Sequence, residues 1–233
     1  MALDFEATTA DTIFFPLTVT LPVTLACWTQ NDTTSTRCLS VGDSGGTAFH
    51  SIGGASGVWR ATTFDGSVSS NVDGGVDNTD WTHLMGVFAS LSSRNLFEDG
   101  VAQTENTSTR SAFTMDRLAI GSSADGTPNQ EYDGRIAECA VWSAALTAVE
   151  GAMLFAGVCP LLVRPASLVF YLPCWNVGQT KPWIGPAATS FGNPLDFAHP
   201  PNMRYPPNVI KFYTQGAAAA AAARSRLMMM GVG

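Results

Sequence analysis

The chain has 233 residues, of which 45% are hydrophobic and 13% charged, with 22 glycines and 13 prolines. That mix excludes a coiled coil or a disordered chain and fits many short strands joined by tight turns. Twelve basic against nineteen acidic side chains leave a net charge of −7, and without a basic stripe for phosphate no nucleic-acid partner is expected.

No run of about 18 apolar residues exists, so no membrane insertion is expected. The opening Met-Ala-Leu-Asp-Phe lacks the basic and apolar regions of a secretory signal, which predicts a chain that is cytoplasmic at synthesis. The five cysteines (Cys27, Cys38, Cys139, Cys159, Cys174) are odd in number and lack CxxC spacing. That argues against zinc and against a disulfide scaffold, and predicts free thiols used as small core residues.

In chain order, a short first strand is expected over 2–5 and a second over 15–19. Residues 23–29 (VTLACWT) form a third, with Val23, Leu25 and Cys27 on one face. A hairpin turn centred on Asp32-Thr33 would put Cys27 opposite Cys38. Strands follow over 37–41, 48–52, 58–64 and 67–72, with a glycine-rich Gly-Asp-Ser-Gly-Gly turn at 42–46 and a long acidic turn at 71–80 (NVDGGVDNTD). Turn signals about ten residues apart are what a two-sheet antiparallel jelly roll produces.

From 80 to 150 the pattern is denser. In 81–89, Trp81, His83, Met85 and Val87 alternate with Thr82, Leu84, Gly86 and Phe88, the period of a strand. Further strands are expected over 95–98, 117–121 and 135–142, with turns at Glu98-Asp99-Gly100 and Asp133-Gly134. Thr147-x-x-Glu150 is a capping box that opens one short helix ending near Gly157.

The ordered set WTHL, NLFEDG, LAIG and YDGRIAECAVWSAALTAVE resembles the concanavalin A-like superfamily in its laminin-G-like branch. That resemblance implies an all-β, two-sheet antiparallel jelly-roll sandwich with one short helix. The domain is expected over 1–172, with its landmark core at 80–156.

Beyond 157, strands are expected over 161–164 and 167–172, the second completing the sandwich near the N-terminal strand. Residues 173–207 hold eight prolines with Trp175, Trp183, Phe191, Phe197 and Tyr205. Such a stretch suits neither a helix nor a central strand, and it is too aromatic for a solvated linker. The span 173–215 is therefore read as an extended arm laid over a surface, its own or a neighbour's. A tail over 216–233 carries seven alanines and a Leu-Met-Met-Met tip. Such a tip calls for burial against a partner. An arm ending FGNPLDFAHPP on a domain of this type is similar to those of bacteriophage virion proteins.

The superfamily includes glycoside hydrolases, which place carboxylates on one strand face as Glu-x-Asp-x-Glu or Glu-x-Asp-x-x-Glu. Here Glu131 and Asp133 begin that pattern, but Arg135 and Ile136 stand where a third carboxylate would. No catalytic residues are assigned and no enzyme is expected. Calcium would need converging oxygens, for which Asp43, Asp73, Asp77, Asn78 and Asp80 are the candidates, though Asp and Asn also serve turns without a metal. No cofactor is assigned and the metal remains unknown. His83 is given a structural hydrogen-bonding role, and His50 and His199 stand alone. Ser44 lies in a protease-like GDSGG without matching His or Asp motifs. Trp59, Trp175 and Trp183 could stack on sugars or pack in a core.

Two functions are carried forward. One is a structural subunit of a larger assembly, such as a virion decoration or fibre protein, docking through its arm on protein subunits that include copies of itself. The other is a lectin-like module for glycans.

Overall fold

Asp99 and Gly100 both take positive φ (49° and 78°), the two-residue turn whose twist matches a right-twisted hairpin. Similar punctuation cuts the chain into short strands throughout. The computed structural model describes residues 2–7, 11–32, 36–127, 130–175, 181–191, 194–198, 200 and 203–205. The expected tail, His199 and Thr33 lie outside the described residues.

The strands are β1 (Ala2–Phe5), β2 (Ile13–Phe15), β3 (Val23–Asn31), β4 (Arg37–Gly42), β5 (Phe49–Ala55), β6 (Val58–Phe64), β7 (Ser69–Val76) and β8 (Thr82–Ser90). They continue as β9 (Ser93–Glu98), β10 (Val101–Ala102), β11 (Arg117–Ile120), β12 (Gly134–Trp142), β13 (Leu168–Leu172), β14 (Ser190–Phe191) and β15 (Leu195–Phe197), with one helix, α1 (Ala148–Phe155). One sheet runs β10-β9-β8-β3-β12-β1-β15, with β13 also on β12; the other runs β14-β2-β11-β4-β5-β6-β7. The expected jelly-roll sandwich is present.

Leu25, Cys27, Leu84 and Phe88 from one sheet meet Leu39, Ile52, Trp59 and Ala61 from the other in the main core. The sheets approach so closely at Gly86 that a Cβ there would run into the Ile52 side chain. The outer face of the eight-stranded sheet is also covered. Met85, Val87, Ala140 and Trp142 pack under Leu146, Leu154 and Val163, so β3, β8 and β12 are buried on both faces.

Several expectations change. Leu17 and Val19 are buried as an inward face predicts, but β2 stops at Phe15 and residues 16–20 join no ladder, Pro16 having no N–H to give. The acidic stretch 71–80 is half strand, because β7 pairs with β6 as far as Val76. Residues 161–164 hold no strand. Two single-turn 3₁₀ helices, Pro160–Leu162 and Pro165–Ser167, occupy this region, each opened by proline.

β13 pairs with Cys139–Trp142 of β12, end to end with β1, which pairs with Gly134–Ile136. The arm folds back on its own domain as two edge strands, β14 on β2 and β15 on β1. Cys27 and Cys38 do not face each other as hairpin partners. They meet across the sandwich with Sγ atoms 3.5 Å apart, and all five thiols are buried and free.

Candidate functional site

Register stacks the side chains of β4 to β7 into rows. Leu39, Ile52, Ala61 and Val72 form a row that faces the core. The rows on the opposite, outer face are Arg37-Gly53-Arg60-Asp73, then Ser40-Ser51-Thr62-Asn71, then Gly42-Phe49-Phe64-Ser69. A charged row, a hydroxyl and amide row and a phenyl row thus lie side by side.

The loop after β11 closes over the β4 end of this face. Ser40 Oγ donates to the Ser122 carbonyl at 2.7 Å, Gly126 N to the Gly46 carbonyl at 2.7 Å, and Arg37 N to the Gln130 carbonyl at 3.2 Å. Between loop and sheet lies a cleft of about 250 Å³, lined by Arg37, Phe49, Phe64 and Ser69 from the sheet and by Asp125 and Thr127 from the loop.

Arg37 is 8% exposed. Its Nε and Nη1 are enclosed without a hydrogen-bond partner, and its guanidinium carbon lies 5.8 Å from the Phe49 ring centre. Burial, then the like charge of Arg60, pushes its pKa down to about 10, which leaves it cationic at neutral pH. Arg60 is bonded through two nitrogens to Asp73 at 2.5 and 3.0 Å. Burial raises the Asp125 pKa, against the lowering pull of Ser123 and of Arg117. One row along, Ser51 Oγ, Thr62 Oγ1 and Asn71 Oδ1 are buried without partners. Polar groups buried in this state cost stability unless a ligand or solvent satisfies them.

A second cavity of about 460 Å³ lies at one end of the core, lined by Val19, Leu21, Leu91, Phe113, Met115 and His50. His50 Nδ1 and Thr63 Oγ1 share a hydrogen bond of 2.8 Å, and the imidazole packs on Phe88 and Phe113 with ring centres 4.5 and 4.8 Å away. Burial, with Arg94 second, pushes its pKa down to about 3.

On the outer face of the other sheet, a bulge in β12 between Ala137 and Ala140 holds Glu138 at φ 57°. With Ile136 facing the core, unbroken alternation would drive Glu138 into it. The extra residue sends Cys139 inward in its place and leaves the carboxylate outside. Tyr171 donates to Oε2 at 2.5 Å and Tyr205 to Oε1, while Trp175 Nε1 donates to the Tyr205 hydroxyl at 3.0 Å. Residues of β12, β13 and the arm are tied together there.

The calcium candidates do not converge. Asp43 accepts from Gly45 N, Asp73 pairs with Arg60, Asp77 accepts from Asn31, and Asn78 accepts from Asp80 N. Among the described residues no group of three or more His, Cys, Asp or Glu side chains could hold a metal.

Glu131 and Asp133 flank the buried Tyr132 at the entrance to β12. Arg135, the next residue on their side, is ion-paired with Asp32 at 2.6 Å and Asp4 at 3.6 Å. Ser44 donates to Asp116 at 2.9 Å, in an exposed turn.

His83 departs from the expected role. Its ring packs edge-on against Trp28 with centres 5.3 Å apart, and Nδ1 is buried without a partner; its hydrogen bonds to Asp99 run through the backbone. Trp59 is a core residue, fully buried, and offers no sugar platform. Trp175 and Trp183 pack on each other at 4.9 Å, and Trp183 packs on Tyr171 at 5.3 Å.

Arg37 and Glu138 carry the most unusual environments, and the sequence reading singled out neither. A carboxylate inside the apolar run IAECAVW signals Glu138. Arg37 gives no such signal, because its row exists only once four strands are in register.

A native heptameric SAP-like pentraxin from Limulus polyphemus is similar in fold, with a TM-score of 0.55 at 16% identity, over 66% of this chain and 81% of that one. Domains LG4-5 of the mouse laminin alpha1 chain match with a TM-score of 0.51 at 15% identity, over 64% of this chain and 43% of that one. No curated protein sequence matches. A laminin-G family model matches residues 6–150, well over half of the chain, and with the sandwich described above it places this protein in the concanavalin A-like lectin/glucanases superfamily.

Proposed function

We propose that this chain is a non-enzymatic binding module that takes a saccharide unit in the cleft on the outer face of its seven-stranded sheet. The observation that carries this reading is the meeting in one cleft of two phenyl rings, the Ser69 and Thr127 side chains and the cationic Arg37 guanidinium with its enclosed, unpartnered N–H groups. Sugar recognition calls for an apolar wall against the C–H face of a ring and a few polar groups to fix its orientation. At about 250 Å³ the cleft falls just below the ~300–1,000 Å³ of typical small-molecule sites, room for about one ring. Membership of a superfamily named for lectins supports the reading, and Arg135 in place of a third carboxylate favours binding over hydrolysis.

A glycan array, followed by saturation-transfer NMR on the hits, tests it. Transfer from Phe49 and Phe64 to sugar ring protons is expected, and Phe64→Ala should weaken binding at least about tenfold, the scale of a lost aromatic contact. Equal binding by Phe64→Ala would sink the assignment to this cleft.

A second reading, a subunit of a larger assembly such as a virion, draws on the exposed β15 edge, where Leu195 and Phe197 face solvent. Light scattering on the full chain tests it: a monomer at all concentrations argues against association with copies of itself.

A further inference from the structure

Arg37 has no structural duty that accounts for its charge. Among the described residues it forms no ion pair, Arg60 already has Asp73, and the cleft carboxylate, Asp125, feels Arg117 rather than Arg37. Its distance from Phe49 lies at the outer limit of about 6 Å for a cation–ring attraction. A residue 8% exposed with enclosed, unpaired N–H groups is costly to keep, and replacing it by an apolar side chain would relieve that cost. A ligand that supplied the missing counter-charge would explain why it stands there.

We infer that the cleft is built for an acidic sugar, a uronic or ulosonic acid, whose ring carboxylate is received by the Arg37 guanidinium. This rests on the saccharide reading above and specifies its ligand class. A planar carboxylate matches the guanidinium fork as no neutral hydroxyl does. Phe49 and Phe64 line the same cleft, with the Phe49 ring centre 5.8 Å from the guanidinium carbon. Ser69 and Thr127 offer hydroxyls to the ring. Asp125, on the opposite rim, accepts from Ser123 Oγ at 3.2 Å and is attracted to Arg117; a carboxylate there disfavours a second anionic group on the ligand. The ligand is therefore a ring with one carboxylate and not a polyanion.

Calorimetric titration of the full chain at low salt tests this with D-glucuronate, D-galacturonate, N-acetylneuraminate, glucose, glucose 6-sulfate and acetate. At least one sugar acid should bind about tenfold or more tighter than glucose, the range of a charged hydrogen-bonded pair, and that preference should shrink with added salt. Arg37→Gln should erase the preference while the melting temperature stays level or rises, because an unpaired buried charge has gone. Arg37→Lys keeps the charge without the fork; it should stay folded and lose most of the preference, and it serves as the test if Arg37→Gln does not fold.

Equal binding of glucose and the sugar acids, or a preference that survives in both variants, overturns the carboxylate assignment and leaves the saccharide reading standing. Acetate or glucose 6-sulfate binding as tightly as every sugar acid marks a plain anion site and also overturns it. A large fall in melting temperature in both variants assigns Arg37 to the fold. If no sugar binds at all, the saccharide reading itself fails.

Discussion

His50 and His83 sit in apolar surroundings that hold each pKa down to about 3, by burial in both cases, with Arg94 adding to it for His50. In the unfolded chain each would protonate near 6.5. Between pH 6.5 and about 3 the unfolded state therefore binds more protons than the folded one, and stability falls as pH drops through that window. Each histidine contributes up to about 1.4 kcal/mol per pH unit, so urea melts at pH 7 and pH 5 should differ by roughly 4 kcal/mol for the pair. His83→Leu should flatten about half of that slope. A level profile would mean that the rings are reached by water or protons without unfolding.

At the same scale, the Glu138 carboxylate accepts from two tyrosines. Glu138→Ala would take away the acceptor that both hydroxyls donate to and is expected to cost about 2–4 kcal/mol. It should also make the 203–205 segment an early site of limited proteolysis, with Glu138→Gln milder in both respects.

Among the elements, α1 illustrates what local sequence can and cannot disclose. Thr147 and Glu150 form the capping box that their spacing predicts, and Thr147→Ala should lower stability by about 1 kcal/mol in thermal or urea melts. The same Glu150 is also bonded by Arg164 at 2.7 Å through each of two nitrogens, a partner fourteen residues away that no capping pattern announces. Strands read well wherever alternation, turn residues and a ladder partner coincide, as in β3, β6 and β8. At 16–19 and 161–164, side-chain pattern suggested strands, but the backbone joined no ladder or was taken up by proline-led turns. The cleft was harder still. Phe49, Phe64, Ser69 and Arg37 are unremarkable in their own segments, and their adjacency is a product of register across β4 to β7, which depends on contacts far apart in the chain.

At the scale of the molecule, the arm covers the β2 edge of one sheet with β14 and the β1 edge of the other with β15. Unpaired strand edges are templates for self-association. A chain ending after residue 175 would uncover both edges and remove Tyr205 from Glu138. Light scattering should find it aggregated or oligomeric where the full chain is not; a monomeric truncation of unchanged stability would show that the arm's strands protect nothing. The arm that composition marked as a segment laid over a surface thus lies, in its described part, over its own domain.

The position of β1 has a consequence in time. Its residues leave the ribosome well before their partners, Gly134–Ile136 on one side and Leu195–Phe197 on the other. At the ~5–20 residues per second of synthesis, the first partner arrives on the order of ten seconds later and the second later still. For that interval Leu3 and Phe5, fully buried once the sandwich closes, have no strand to pair with. During synthesis the hairpins β5-β6 and β8-β9 can pair at once, and β1 is expected to join only after its partners have emerged.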